Sequence, residues 1–171
     1  MRQVVITGVS TGIGYATVKV LLERGCRVFG SVRKQADADR LQLEYGERFL
    51  PLLFDVIDEA AVQQAAETVR RHLGTATLDG LVNNAGIEIT GPLAYLPADQ
   101  FRYQLEVNLV GPLIVTKAFL PCLGADPTRQ GKPGRIINIS STSGRIAGPF
   151  TVPTQRRSLA SKVSPTLCAE N

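Results

Sequence analysis

The apolar run Val4-Val5-Ile6-Thr7 breaks directly into Gly8-Val9-Ser10-Thr11-Gly12-Ile13-Gly14. The residues that follow take up a helical spacing, with Ile13, Ala16, Thr17, Val20 and Leu21 as its apolar positions. A strand, a glycine-rich turn and a helix start therefore succeed one another. Glycines let a backbone bend tightly and approach a pyrophosphate closely, while the free N–H groups and the dipole at a helix start favour an anion. The spacing here is G-x-x-x-G-x-G rather than G-x-G-x-x-G, and such a cluster taken alone fits a tight turn with no ligand equally well.

The remaining sequence narrows the choice. A chain of 171 residues is long enough for one sizeable core, and 44% hydrophobic with 20% charged residues describes a globular domain. No apolar run reaches membrane-spanning length, and Met1-Arg2-Gln3 leads straight into the first strand, so neither a membrane span nor an export signal is expected. Cys26, Cys122 and Cys168 are scattered without C-x-x-C spacing, which argues for a reducing, cytoplasmic compartment and against zinc. His72 is the sole histidine and sits beside Arg71 near a helix end; it reads as a solvated helix residue, and no metal is expected. The net charge is +4, of which Arg156, Arg157 and Lys162 against Glu170 contribute +2 in residues 151–171. No basic stripe interleaved with aromatics appears, so no nucleic acid is expected.

Strand-like and helix-like segments alternate with short breaks, the pattern of right-handed βαβ units on a parallel sheet. Gly25 closes the first helix and Arg27 to Val32 supplies a second strand. A polar helix spans Asp37 to Tyr45, and Leu52-Leu53-Phe54 forms a third strand ending at Asp55. Asp58 caps a helix with Val62, Ala66, Val69 and Leu73 inward, which Gly74 stops. Leu81-Val82 makes a fourth strand that runs into Asn83-Asn84-Ala85-Gly86. Pro97 opens a helix with Phe101, Leu105 and Leu109 on one side, and the apolar residues from Leu109 to Leu123 cover more than one face. Arg135 to Ile139 is a fifth strand, ending at Ser140-Ser141.

In an open α/β sheet, ligands bind in the crevice outside the carboxyl ends of the strands. The glycine turn, Arg33, Asp55, Asn84 and Ser141 each follow a successive strand, so five strands deliver polar or glycine residues to one edge. The expected fold is a Rossmann-type, doubly wound parallel sheet that is incomplete after its fifth strand, with residues 1–150 as the dinucleotide-binding domain.

These residues are the ones by which the chain resembles the short-chain dehydrogenase/reductase family. Thr7-Gly8 with Gly12 and Gly14 matches its T-G-x-x-x-G-x-G turn, Asp55-Val56 its adenine-contacting acid, and Asn83-Asn84-Ala85-Gly86 its N-N-A-G segment. Asn108 falls where the family has a catalytic asparagine and Ser141 where it has a catalytic serine. Within the family the sequence looks closest to retinol and hydroxysteroid dehydrogenases. The resemblance implies hydride transfer between NAD(P)(H) and an alcohol or carbonyl, with Ser10, Thr11, Ile13, Ala85 and Gly86 joining the residues above at the cofactor, and homo-oligomers among full-length relatives. At the end of the second strand the sequence reads Ser31-Val32-Arg33-Lys34, with no acid to take the ribose hydroxyls of NAD. Arg33 suits a 2′-phosphate, which favours NADP and leaves NAD open.

The sequence then departs from the family. A tyrosine acid/base is due thirteen residues after Ser141 and a lysine four residues later; these positions are Thr154 and Ser158. A threonine hydroxyl cannot be tuned as a phenol can, so the chain as written is expected to be inactive. Tyr15 and Lys19 spell Y-x-x-x-K just beyond the phosphate turn, at the wrong end of the cofactor for the chemistry. Residues 151–171 have no clear period and read as an irregular tail on a truncated chain. Codon degeneracy allows residues 152–171 to be read one nucleotide earlier as G-P-Y-S-A-S-K-F-G-L-Q-G-F-S-D-S-L-R-R-E, which restores Y-x-x-x-K; a frame change near Thr151 is the favoured explanation. A catalytically inactive nucleotide-binding protein and a truncated product without function are the alternatives.

Overall fold

The computed structural model describes residues 1–141, so Thr154, Ser158 and the tail lie outside the described residues. Five parallel strands run β1 (Gln3–Ile6), β2 (Arg27–Val32), β3 (Phe49–Leu53), β4 (Gly80–Asn83) and β5 (Arg135–Asn138). Their order in the sheet is β3-β2-β1-β4-β5, with Val5 opposite both Phe29 and Leu81. The helices are α1 (Gly12–Glu23), α2 (Gln35–Tyr45), α3 (Glu59–Leu73), α4 (Ala98–Leu105) and α5 (Gly111–Phe119).

The strands are apolar on both faces because both faces are covered, as a parallel sheet requires. Val4, Ile6, Val28 and Val32 pack with Val18 and Leu22 of α1 and Ala38 and Leu41 of α2. Val5, Phe29, Leu52 and Leu81 pack on the other side with Val62, Ala66 and Val69 of α3 and Val115 and Phe119 of α5. Helices wind down one face, then the other, and the strand order reverses between β1 and β4. That reversal is where a crevice must open.

Asp58 caps α3 as its sequence position suggested, its Oδ1 accepting the Ala61 N–H at 3.0 Å, and Gly74 ends the helix at φ +59. Three local expectations need correction. β3 begins at Phe49, earlier than Leu52, and tolerates Pro51 because among the described residues it is an edge strand with one side unpaired. In α1 the inward residues are Gly14, Val18 and Leu22, while Ile13 and Val20 are exposed, because the helix meets the sheet through the bare backbone of Gly14. Along α4 and the turn that follows it, Phe101, Leu105 and Leu109 are only half-buried, and the inward positions are Gln104 in α4 and Val107 and Asn108 beyond it. A π-helical turn over Glu106–Val110 adds a residue between α4 and α5 and shifts the face, and two of the inward side chains are polar, which hydrophobic spacing cannot register.

Candidate functional site

Where β1 and β4 part, a cleft of about 370 Å³ opens at the carboxyl ends of the strands. Of the residues read from the sequence, Gly8, Ser10, Thr11 and Ile13 line it from the turn, Arg33 from the end of β2, Asp55 and Val56 from beyond β3, and Asn84, Ala85 and Gly86 from beyond β4. Gly12, Gly14, Asn108 and Ser141 lie outside the lining. Ser31, Val32, Phe54, Ile87, Val107, Ile139 and Ser140 complete the wall and were not read from the sequence, although most of them flank strand ends already singled out.

The glycines act as a weld between β1 and β4. Gly8 has φ +69, and a Cβ there would come within 2.8 Å of Ala85 Cα; a Cβ on Gly14 would overlap the Gly8 carbonyl and reach 2.5 Å from Asn84 Nδ2. The same junction is stitched by polar groups. Thr7 Oγ1 accepts the N–H groups of Asn84 and Ala85 at 3.0 and 2.9 Å, and Asn84 Nδ2 donates to the carbonyls of Thr7 and Gly8, both at 2.9 Å. Asn84 therefore lines the cleft but commits its amide nitrogen to the turn.

Which donors the turn keeps for a ligand follows from which it uses. The Gly8 N–H donates to Ser31 Oγ at 3.0 Å and the Val9 N–H to the Ser31 carbonyl at 3.0 Å. The unshared donors are then those at the head of α1, from Thr11 to Gly14. Thr11 is extended, makes no side-chain cap, and is followed by no acid in the first turn. In α3, by contrast, Asp58 caps the helix and Glu59 begins it. The α1 head thus retains an anion-favouring dipole directed at the cleft, and Arg40 of α2 braces it by donating to the Ser10 carbonyl at 2.9 Å.

At one end of the cleft Arg33 lies 3.8 Å from Asp55 Oδ2, with 63% of the arginine side chain exposed. Asp55 Oδ1 also accepts the Ile57 N–H at 3.3 Å. At the other end, Asn108 sits in the π-helical turn, 2% exposed, and pairs with Ile87 like a strand neighbour: Oδ1 accepts its N–H at 2.9 Å and Nδ2 donates to its carbonyl at 2.8 Å. Ser141 follows β5, half-buried, next to the cleft residue Ser140. The Tyr15 hydroxyl donates to Glu44 Oε1 at 2.5 Å and Lys19 is exposed, so the Y-x-x-x-K of α1 belongs to the α1–α2 contact rather than to the cleft. His72 is exposed in α3, its Nδ1 2.9 Å from the Thr68 carbonyl, and no three His, Cys, Asp or Glu side chains gather among the described residues. No helix of the described residues is long and apolar enough to cross a membrane.

The family model described as short chain dehydrogenase matches residues 2–153. The chain belongs to the short-chain dehydrogenase family. It is 40% identical over 153 residues to the NADPH-dependent 3-dehydrocapnine reductase of Ornithobacterium rhinotracheale, covering 90% of this chain and 54% of that protein. It is 43% identical over 145 residues to human retinol dehydrogenase 5, covering 84% of this chain and 44% of the relative. The chain thus spans about half the length of these relatives. Among solved structures, the gluconate 5-dehydrogenase of Burkholderia cenocepacia in complex with NADP and tartrate superposes with a TM-score of 0.81 at 30% identity, covering 95% of this chain and 62% of that one. The parallel five-stranded sheet of this short-chain dehydrogenase chain is thus the fold of its solved neighbours.

Proposed function

We propose that this short-chain dehydrogenase chain forms the cofactor-binding part of an NADP-preferring oxidoreductase acting on a small alcohol or carbonyl. The observation that carries the reading is the pairing of an uncapped α1 head with Arg33 across one cleft. The residues present fit a dinucleotide: the Gly8 and Gly14 positions leave no room for side chains, the α1 head offers donors to a pyrophosphate, and Arg33 offers a guanidinium to a 2′-phosphate. The NADPH-dependent reductase and the NADP complex among its relatives support the same preference. A bound nicotinamide would supply the hydride to a carbonyl or accept it from an alcohol.

This chain's own residues would bind, orient and manage a proton. Ser141 is assigned to the substrate oxygen. Asn108, through its grip on Ile87, would hold the backbone beside it. Proton transfer needs a tuned acid, and the positions due for it hold Thr154 and Ser158. The 171-residue sequence should therefore bind cofactor and turn nothing over. The free, buried Cys26 and Cys122 support a reducing, cytoplasmic setting. Self-association, which the family resemblance implies, is part of the same reading.

The test titrates the chain with NADPH and NADH, then assays retinoid, steroid and aliphatic carbonyls beside a version with the reading frame restored, in which Thr154→Tyr and Ser158→Lys occur together. General acid–base catalysis contributes about a hundred- to ten-thousandfold, so turnover should appear only in the restored version. Turnover by the unaltered chain that survives Ser141→Ala would overturn the assignment.

A further inference from the structure

Gln104 is fully buried, at 0% exposure, on the inward face of α4, one helical turn before Asn108. Its Oε1 accepts the N–H of Ile89. Asn108 accepts and donates at Ile87. The two amides thus grip alternate residues of the segment that leaves β4, as a neighbouring strand would. Ile87 and Val107 both line the cleft, on the side where β4 and β5 end and where Ser140 stands.

The other half of the Gln104 amide argues that this grip is why the residue is there. Nε2 is buried and has no hydrogen-bond partner among the described residues. A buried polar atom left unpaired is unfavourable, and a methionine of similar volume would fill the same space with no such atom. Packing therefore gives no reason for a glutamine, whereas holding the Ile89 N–H does.

We infer that Gln104 is a positioning residue: with Asn108 it fixes the Ile87–Ile89 backbone as the wall against which the nicotinamide end of the cofactor is seated. The inference rests on reading the cleft as a nicotinamide-dinucleotide site, and it concerns one end of that site only. The adenosine end, walled by Arg33 and Asp55, is not touched by the Gln104 contact.

The experiment uses the full 171-residue chain and two ligands, NADPH and 2′-phospho-ADP-ribose, which share the adenosine and pyrophosphate but differ in the nicotinamide. In Gln104→Met, NADPH affinity should fall about two- to tenfold, the range for one net hydrogen bond, while 2′-phospho-ADP-ribose binds as before. Amide exchange at Ile89 should quicken, and the melting temperature should change little, because removal of the unpartnered Nε2 offsets the acceptor lost by the Ile89 N–H. Gln104→Glu, which keeps an acceptor at the same reach, should restore the NADPH to 2′-phospho-ADP-ribose ratio. If the methionine variant fails to fold, Gln104→Asn serves instead, being one methylene too short to reach Ile89. Equal weakening of both ligands, or an unchanged ratio with slow Ile89 exchange, would overturn the positioning role. Failure of the unaltered chain to bind either ligand would overturn the site reading itself, and the two results are distinct.

Discussion

The two ends of the cleft use their polar residues in opposite ways. On the β2–β3 side, Arg33 is 63% exposed and the α1 head carries no cap, so charge and donors face outward. On the β4–β5 side, Asn83, Gln104 and Asn108 are all at most 4% exposed, and their side chains contact Asn138, Ile89 and Ile87. The first end is equipped to recognise a ligand by chemistry; the second is equipped to hold a backbone in place. A site that must select a cofactor and then align a reaction has use for both, since recognition tolerates solvent and mobility while alignment does not.

The largest effect is expected where the two ends join. Gly14→Val would drive a branched side chain into the Gly8 carbonyl and Asn84, parting β1 from β4. Overpacking of this kind costs about 3 kcal/mol or more, and no relaxation preserves both the turn and the stitch. Thermal unfolding should shift down strongly and NADPH binding should vanish. A stable variant that still binds would mean that the weld matters to neither end.

Next comes the β4–β5 end alone. Asn108→Leu leaves the N–H and carbonyl of Ile87 without their partners, at a cost of about 2 kcal/mol. Denaturant unfolding should register that loss, while the ratio of NADPH to NADH affinity should stay as it was. A changed ratio would blur the contrast between the ends.

Arg33→Asp probes the opposite case. Stability should barely move, since a surface ion pair at 3.8 Å contributes little. The NADPH to NADH ratio should fall about tenfold, or 1.4 kcal/mol, and the preference of the unaltered chain should weaken as salt rises. Equal affinities before and after would remove Arg33 from cofactor selection.

The same contrast explains what could be read from the sequence. The β1–β2–β3 side was legible because its signals are local: glycines where a Cβ would clash, an arginine at a strand end, and Asp58 at a helix start. Asn108 was legible only through family resemblance, and Gln104 not at all. Their value lies in contacts with residues 87–89, which neither spacing nor hydrophobicity encodes. Ser31 was missed for the same reason: its hydroxyl serves Gly8, far from it in sequence. The inward face of α4 was misread because a π-helical turn and two polar residues break the apolar period on which helix faces are judged.

The smallest effect belongs to a cluster on the β2–β3 side that lies outside the cleft lining. Tyr45 packs against Tyr15 and Phe49, with ring centroids 5.9 and 5.6 Å away, and burial, followed by Tyr15 and the nearby Glu44, pushes the ionisation of its phenol well upward. The folded state therefore keeps the phenol protonated, whereas an unfolded tyrosine ionises near pH 10. A group whose pKa is raised on folding contributes stability that is intact below its unfolded value and declines as pH rises beyond it. The native chain should lose stability more steeply than Tyr45→Phe above about pH 10, and the gap between them should be smallest at neutral pH, where the phenol is protonated in the folded and the unfolded chain alike. Parallel curves in alkaline denaturation would show that Tyr45 ionises as freely in the fold as outside it. NADPH binding at neutral pH should be the same in both, and a difference there would extend the ligand-recognising end from the α1 head to the α1–α2 contact.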